Sequence, residues 1–425
     1  MQQKLFTASD FSHSKKYKKL FSFLPYPPFR DCLNSTGRRP YPREAILKAL
    51  IYGGLRRFNT LSEISFELFN NIHIAEDLGF DILKPLPSLE RFSAFLQDID
   101  NSLLRSVRNK LVHSLIKCGI IKGRILSIDS CPIKAPVKEN NLKTIVKDRF
   151  DKHKYIKGDP ESRLGVIINF PKPETRKVHY FWGYKNYPII DSESELPVWE
   201  VTHPANVHET NIFIPEFLKL QREFSFNIKA ITGDSNFDTE KILMFIKNEL
   251  HAKPVISKNP RNQRPDLEIN SKGKIVCIAN LEMACRGISY MKAKNQAYKI
   301  FVCPIHHYKK LRKQYICCPM QHPKFFTQKG CCHTIRVDDN VRDSIDYNSQ
   351  SFKNIHKKRI ASERVFSRLL SICMQEITIH GLNAVKNKCT IANITVLLVA
   401  LASYKLNFKD KIRFVKTFVP NFLKE

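Results

Sequence analysis

The chain reads as an α/β protein: a mixed sheet flanked by helices, preceded by a helical N-terminal domain and interrupted by a cysteine-rich insertion. Three observations carry that reading. Apolar residues recur at helical spacing through residues 41–118. Short apolar runs alternate with helical patterns from Gly123 onward, and seven of the twelve cysteines crowd between Cys277 and Cys332. Successive strands followed by alternating helix and strand build a mixed sheet with helices on its faces.

In the first segment Ile46, Leu50, Ile51 and Leu55 share one helical face, and Leu61–Leu68 and Ser88–Leu96 read as short helices between Asn-rich and Pro-rich breaks. That pattern suits a helix-turn-helix DNA reader and equally a plain helical bundle. The texture changes near residue 120. Arg124-Ile-Leu-Ser-Ile-Asp-Ser130 is an apolar strand ending in Asp129, with Cys131-Pro132 as the break after it. Further strands are expected over 164–170, 178–184, 197–202, 228–231 and 254–257, with helices over 212–223 and 239–250. Residues 259–350 lack helical periodicity and read as an insertion; Lys357–Cys373 and Ala384–Tyr404 then resume it. The expected domains are therefore 1–120 (helical, DNA-binding), 121–258 with 351–425 (catalytic), and 259–350 (Cys-rich).

At 425 residues the chain can bury a substantial core across two or three domains. Seventy Lys and Arg against forty Asp and Glu give a formal charge of +30, which points to a polyanion; the basic residues are spread through every segment rather than along one amphipathic helix, so nucleic acid is preferred over a membrane surface. The most apolar stretch, Ile391–Tyr404, is interrupted by Asn393 and Thr395 and reads as a buried helix rather than a span of about 20 apolar residues. No secretory leader is visible at the start, and a cytoplasmic, nucleoid-associated protein with reduced cysteines is expected. GxxxxGK[ST], HExxH and GxSxG are all missing from the sequence, which argues against nucleotide hydrolysis, zinc peptidase and serine hydrolase chemistry.

The chemistry is carried by carboxylates. Asp129 and Asp234 each end an apolar run, the second in Ile228-Lys-Ala-Ile-Thr-Gly-Asp234, so both belong at the rim of a sheet. Alone, such an Asp is usually a turn or cap residue. Glu363 stands on a helix with Phe366 and Leu370 at i+3 and i+7, a spacing that assigns it to the packed face, although Arg359 at i−4 is placed to pair with it. Three carboxylates converging at a sheet edge repel one another unless divalent cations relieve them, and two such ions suit in-line phosphoryl transfer. Arg359, Arg364 and Arg368 are the expected phosphate contacts.

Six short motifs occur in order: Ser127-Ile-Asp-Ser130, Gly183-Tyr-Lys185, Thr202-His-Pro-Ala-Asn-Val-His-Glu-Thr210, Gly233-Asp-Ser-Asn-Phe-Asp238, Pro254-Val-Ile-Ser-Lys-Asn-Pro260 and Arg359-Ile-Ala-Ser-Glu-Arg-Val-Phe366. With 105 residues from Asp129 to Asp234 and 129 from there to Glu363, the chain resembles insertion-sequence transposases of the DDE type. The resemblance implies an RNase H-like catalytic domain, Mg²⁺ or Mn²⁺ at Asp129, Asp234 and Glu363, and DNA contact by Arg359. It further implies cleavage at transposon ends, strand transfer into target DNA, and a homodimer in the synaptic complex. Arg39-Pro-Tyr-Pro-Arg43 and Pro87-Ser-Leu-Glu-Arg-Phe92 resemble the family's helical head, which binds the terminal repeats. One departure is that a Tyr three residues before the Arg and a Lys six or seven after the Glu are replaced by His356 and Leu369-Leu370, with Arg368 nearby as a substitute. A metal nuclease that does not join, and a transposase-derived DNA-binding protein without catalysis, are the alternatives.

Cys277, Cys303, Cys318 and Cys332 are candidates for a structural Zn²⁺ site, or else are reduced cysteines of the core and loops; CxxC pairs are missing. The basic run Tyr308-Lys-Lys-Leu-Arg-Lys313 reads as a DNA contact or as a solvated loop.

Overall fold

The computed structural model describes residues 12–27, 29, 40–172, 175–259, 268–271, 274–292, 296–337, 341–372, 374 and 377–415. Arg39, Pro260, Cys373 and residues 1–11, named above, lie outside the described residues. By contacts the chain divides into two compact units, one of Met1–Phe237, Phe245–Ile256 and Gln350–Glu425, the other of Asp238–Met244 and Ser257–Ser349.

The first unit begins with helices α1 (Ser12–Phe21), α2 (Arg43–Arg56), α3 (Leu61–Asn70), α4 (Ile72–Leu78), α5 (Leu89–Asp98) and α6 (Asn101–Lys117). Their starts follow local chemistry. Thr60 and Glu63 form a reciprocal capping box on α3, and the Asp100 carboxylate accepts the Ser102 N–H at the start of α6.

The sheet contains β1 (Ile125–Ile128), β2 (Cys131–Lys134), β3 (Arg163–Lys172), β4 (Thr175–Asp191), β5 (Leu196–Pro204), β6 (Ala230–Gly233) and β7 (Lys253–Ile256). Helix α7 (Glu209–Phe224) joins β5 to β6, and α8 (Glu240–Met244) runs into a π-helical turn, Phe245–Glu249, before β7. β1, β6 and β7 are parallel, while β4 runs antiparallel to β1 and carries β2, β3 and β5 as antiparallel partners. The sequence reading took Cys131-Pro132 for a turn, whereas both residues pair with β4 as part of β2. Gly183 permits that pairing, because a Cβ there would stand 2.1 Å from the Ile133 carbonyl oxygen.

In the second unit β8 (Ala284–Met291), β9 (Gln296–Val302) and β10 (Cys332–Arg336) form an antiparallel sheet in the order β10-β9-β8, with short helices α9 (Pro304–His307), α10 (Lys309–Gln314) and α11 (Pro323–Thr327). Its buried side chains include Val276, Cys277, Met283, Cys303, Ile305 and Cys318. The basic helix α10 buries none of its residues.

The first unit closes with α12 (Gln350–His356), α13 (Ile360–Ser371) and α14 (Leu382–Lys405). α14 is longer than the apolar stretch expected from the sequence. By length and composition it passes as a membrane span, yet 89% of the qualifying window is buried inside the protein. It touches α2, α5 and α6 on one side and β4 and β5 on the other. Two of its buried polar residues are used in that role: Asn387 donates to the carbonyls of Leu96 and Ile99, Asn101 donates to Asn387 and Thr390, and the Thr390 hydroxyl donates to Glu200. Satisfied in this way, they cost little to bury.

Beside them Arg108, fully buried on α6, donates to the Glu200 carboxylate at 3.1 Å and lies 4.4 Å from the Trp199 ring centre. Burial pushes the Arg108 guanidinium down to about 10, so it remains charged at neutral pH. Arg108→Ala leaves a buried carboxylate with only Asn186 and Thr390 as donors. It is expected to cost about 3–5 kcal/mol, measured as a lowered denaturation midpoint; a loss below about 1 kcal/mol would mean that water replaces the guanidinium.

Candidate active site

The parallel register of β1 and β6 pairs Ile125 with Ala230 and Ser127 with Thr232. Continued two residues, it sets Asp129 level with Asp234, each just past the end of its strand and separated by one strand spacing of about 4.8 Å. The 105-residue interval in the sequence is thus the register offset of two neighbouring strands. Gly233 is glycine because a Cβ would meet the Phe237 ring at 3.0 Å, and that ring caps the turn which presents Asp234. The Asp234 carboxylate accepts the Asn236 backbone N–H at 3.0 Å and its side-chain amide at 2.9 Å.

The third side of the site comes from the 3₁₀ turn Lys357–Arg359, which contacts both β1 and β6, and from α13, which contacts β1 and β4. The Ser362 and Ser127 hydroxyls meet at 2.5 Å, fully buried, and fix α13 against β1 two residues before Asp129. The Arg359 guanidinium bridges the carboxylates, donating to Asp129 at 3.2 Å and to Glu363 at 2.9 Å.

Glu363 does not face the core as its sequence spacing suggested. Its side chain is 56% exposed, and the buried stripe of α13 is Ala361, Ser362, Val365, Arg368 and Leu369. That stripe includes Ser362 and Arg368 beside its apolar members, so apolar spacing alone misplaced it. Arg359 is the one of the three expected arginines that contacts the carboxylates. Arg364 and Arg368 instead converge on Glu195, at 2.5 and 2.6 Å, with Arg413 joining at 3.4 Å; the pairing with Glu195 compensates the burial of Arg368, which at 10% exposed has little surface left for phosphate.

A fourth carboxylate, Glu209, opens α7 and is almost wholly buried. It accepts the Ser130 hydroxyl at 2.8 Å and pairs with Lys185 of β4 at 3.3 Å. Both residues stand inside the motifs Gly183–Lys185 and Thr202–Thr210, where nothing in the sequence marks them out; an acidic residue in the first helical turn ordinarily serves the helix dipole.

The electrostatics follow from this crowding. Burial, then the Asp234 charge, push the Asp129 carboxyl up to about 7. Burial, then the Glu209 charge, push Asp234 up to about 6, with Arg359 and Lys185 opposing. The cluster is short of positive charge, and its donors are all oxygens, which suits a hard divalent cation. As arranged, no group of three or more His, Cys, Asp and Glu among the described residues is positioned to hold a metal ion. The guanidinium between Asp129 and Glu363 stands where a cation would.

The cysteines gather differently from the expected set. Cys277, Cys303 and Cys318 are buried, but Cys332 is exposed on β10. Its neighbour Cys331 instead acts on Cys277, whose thiol is lowered, while its own is raised by Cys277, burial and Cys303. The zinc set Cys277, Cys303, Cys318 and Cys332 is therefore not assembled.

A family model described as a transposase DDE domain matches residues 122–398, and a second, described as a transposase domain, matches residues 7–98. Among curated proteins no relative matches. Among solved structures, a piggyBac transposase chain from a synaptic complex with hairpin DNA, seen by cryo-EM, covers 98% of this chain and 77% of its own at 14% identity and a TM-score of 0.38. At that level the likeness bears on neither fold nor function.

Proposed function

Because the chain belongs to the DDE-domain transposases, we propose that Asp129, Asp234 and Glu363 are the carboxylates with which it cleaves transposon ends and transfers the strand into target DNA. The observation that carries the assignment is the β1–β6 register, which brings two acids from distant motifs level at one sheet edge. An RNase H-like domain is the matching architecture. In its support, β4 lies antiparallel between β5 and β1, and β6 and β7 continue parallel beyond β1.

Asp129 and Asp234 would hold the metal, and Glu363 would join them once Arg359 releases it. Two ions, Mg²⁺ or Mn²⁺, activate the attacking oxygen and stabilise the leaving one when bound. Arg359 then turns to a DNA phosphate, a second acceptor for its planar fork. Exposed Arg364 is a further phosphate contact, and Arg368 acts one step away by fixing Glu195. Double-stranded DNA is the partner, its terminal repeats held by the helical head and two copies of the chain meeting in synapsis.

The test uses a labelled duplex carrying the element's terminal repeats, with Mg²⁺ or Mn²⁺, and compares wild type with Glu363→Gln. Wild type is expected to cut and join, and the variant to bind without doing either. Cutting without joining would make the protein a nuclease. Equal activity would reduce Glu363 to a partner of Arg359.

A further inference from the structure

We propose that Glu209 is a positioning residue of the metal centre, a fourth carboxylate that orients Asp129 through Ser130 and holds Lys185 beside Asp234. The proposal rests on the reading of Asp129 and Asp234 as metal ligands.

The geometry is specific. One oxygen of Glu209 receives both the Ser130 hydroxyl, at 2.8 Å, and the Lys185 ammonium, at 3.3 Å. Ser130 is the residue after Asp129, and its backbone N–H donates to the Asp129 carboxylate at 2.8 Å. A single serine therefore connects the two acids, through its backbone on one side and its hydroxyl on the other. Glu209 acts electrostatically on Asp129 and on Asp234, so it lies within the field of both. It can do so because α7 starts five residues after β5 ends and points its first turn at the sheet edge.

A buried carboxylate beside two others is unfavourable unless it does something there. The helix N-terminus and one lysine compensate Glu209 itself. They do not neutralise the group: with all four carboxylates ionised, the form a cation binds, Arg359 and Lys185 leave an excess of two negative charges, the charge of one divalent ion. Without Glu209 the excess is one. Glu209 thus matches the ionised site to a first metal ion while Arg359 is still in place, and partners that orient metal ligands typically change metal affinity by about 10–100-fold.

The experiment is Mn²⁺ titration of the full-length protein without DNA, followed by electron paramagnetic resonance, for wild type, Glu209→Gln, Glu209→Asp and Ser130→Ala, with thermal unfolding of each. Glu209→Gln, which keeps an oxygen for Ser130, is expected to bind Mn²⁺ at least about tenfold more weakly with its fold intact, and Glu209→Asp to recover part of the loss. Wild-type affinity in Glu209→Gln overturns the proposal. If that variant does not fold, Ser130→Ala decides, since it cuts only the hydroxyl link: weakened binding supports the proposal and unchanged binding defeats it. Should wild type bind no better than Asp234→Asn, the assignment of the aspartates fails first, an outcome separate from the failure of Glu209.

Discussion

Asp234→Asn is expected to abolish cleavage of the element ends, by about a thousandfold or more, while leaving DNA binding in place. Among the described residues no arginine forms an ion pair with Asp234, whose oxygens accept only from Asn236, so its charge is open to a metal ion. Metal stabilisation of the transition state amounts to several kcal/mol, and each 1.36 kcal/mol is a factor of ten. The Asn oxygen can still accept the Asn236 N–H, although its amide would face the Asn236 amide and turn that side chain away. The turn survives; the negative charge does not. Gel-shift and cleavage assays on one labelled duplex separate the two effects. Cleavage within tenfold of wild type would remove Asp234 from the site.

Asp129→Asn is expected to destroy activity and yet stabilise the metal-free protein at pH 8. The Asp129 carboxyl is raised to about 7 in the fold against about 3.9 when unfolded. Between those values the folded state binds more protons than the unfolded state. The stability linked to this group is therefore fully present below about pH 4 and is lost as pH rises through about 7. Asn is neutral throughout and escapes that loss. The gain at pH 8 is at most about 4 kcal/mol, a figure already net of the attraction of Arg359 for the carboxylate. Thermal unfolding in EDTA should show the variant above wild type at pH 8 and the gap closing by pH 4. Mn²⁺ should reverse the order, because it stabilises the form that binds it. A gap that stayed constant with pH would mean that Asp129 is not strained as a buried charge.

Much of this site could be read from the chain. The two aspartates ended apolar runs, and apolar runs of four residues between turn residues have few options besides a buried strand. What failed had physical causes. The face of Glu363 was misread because Ser362 and Arg368 are buried through polar partners, Ser127 and Glu195, that lie far away in sequence. β2 was missed because a proline at its second residue imitates a turn. β8 was invisible because all but its first residue is exposed, so it carries no alternation of buried and open positions. Glu209 could not be separated from an ordinary first-turn acid without knowing where α7 points. For the cysteines, adjacency in sequence hid the difference between Cys331, half-buried just before β10, and Cys332, exposed as its first residue.

Helix α14 has one more consequence. At 24 residues it is about 36 Å long, and it joins the helical head to the sheet bearing the carboxylates through hydrogen bonds on both flanks. If the head grips a terminal repeat, the distance from grip to cut is set when the chain folds, as on a ruler. Moving the repeat by half a turn should therefore leave it bound but uncut, because the scissile phosphate would face away from the protein.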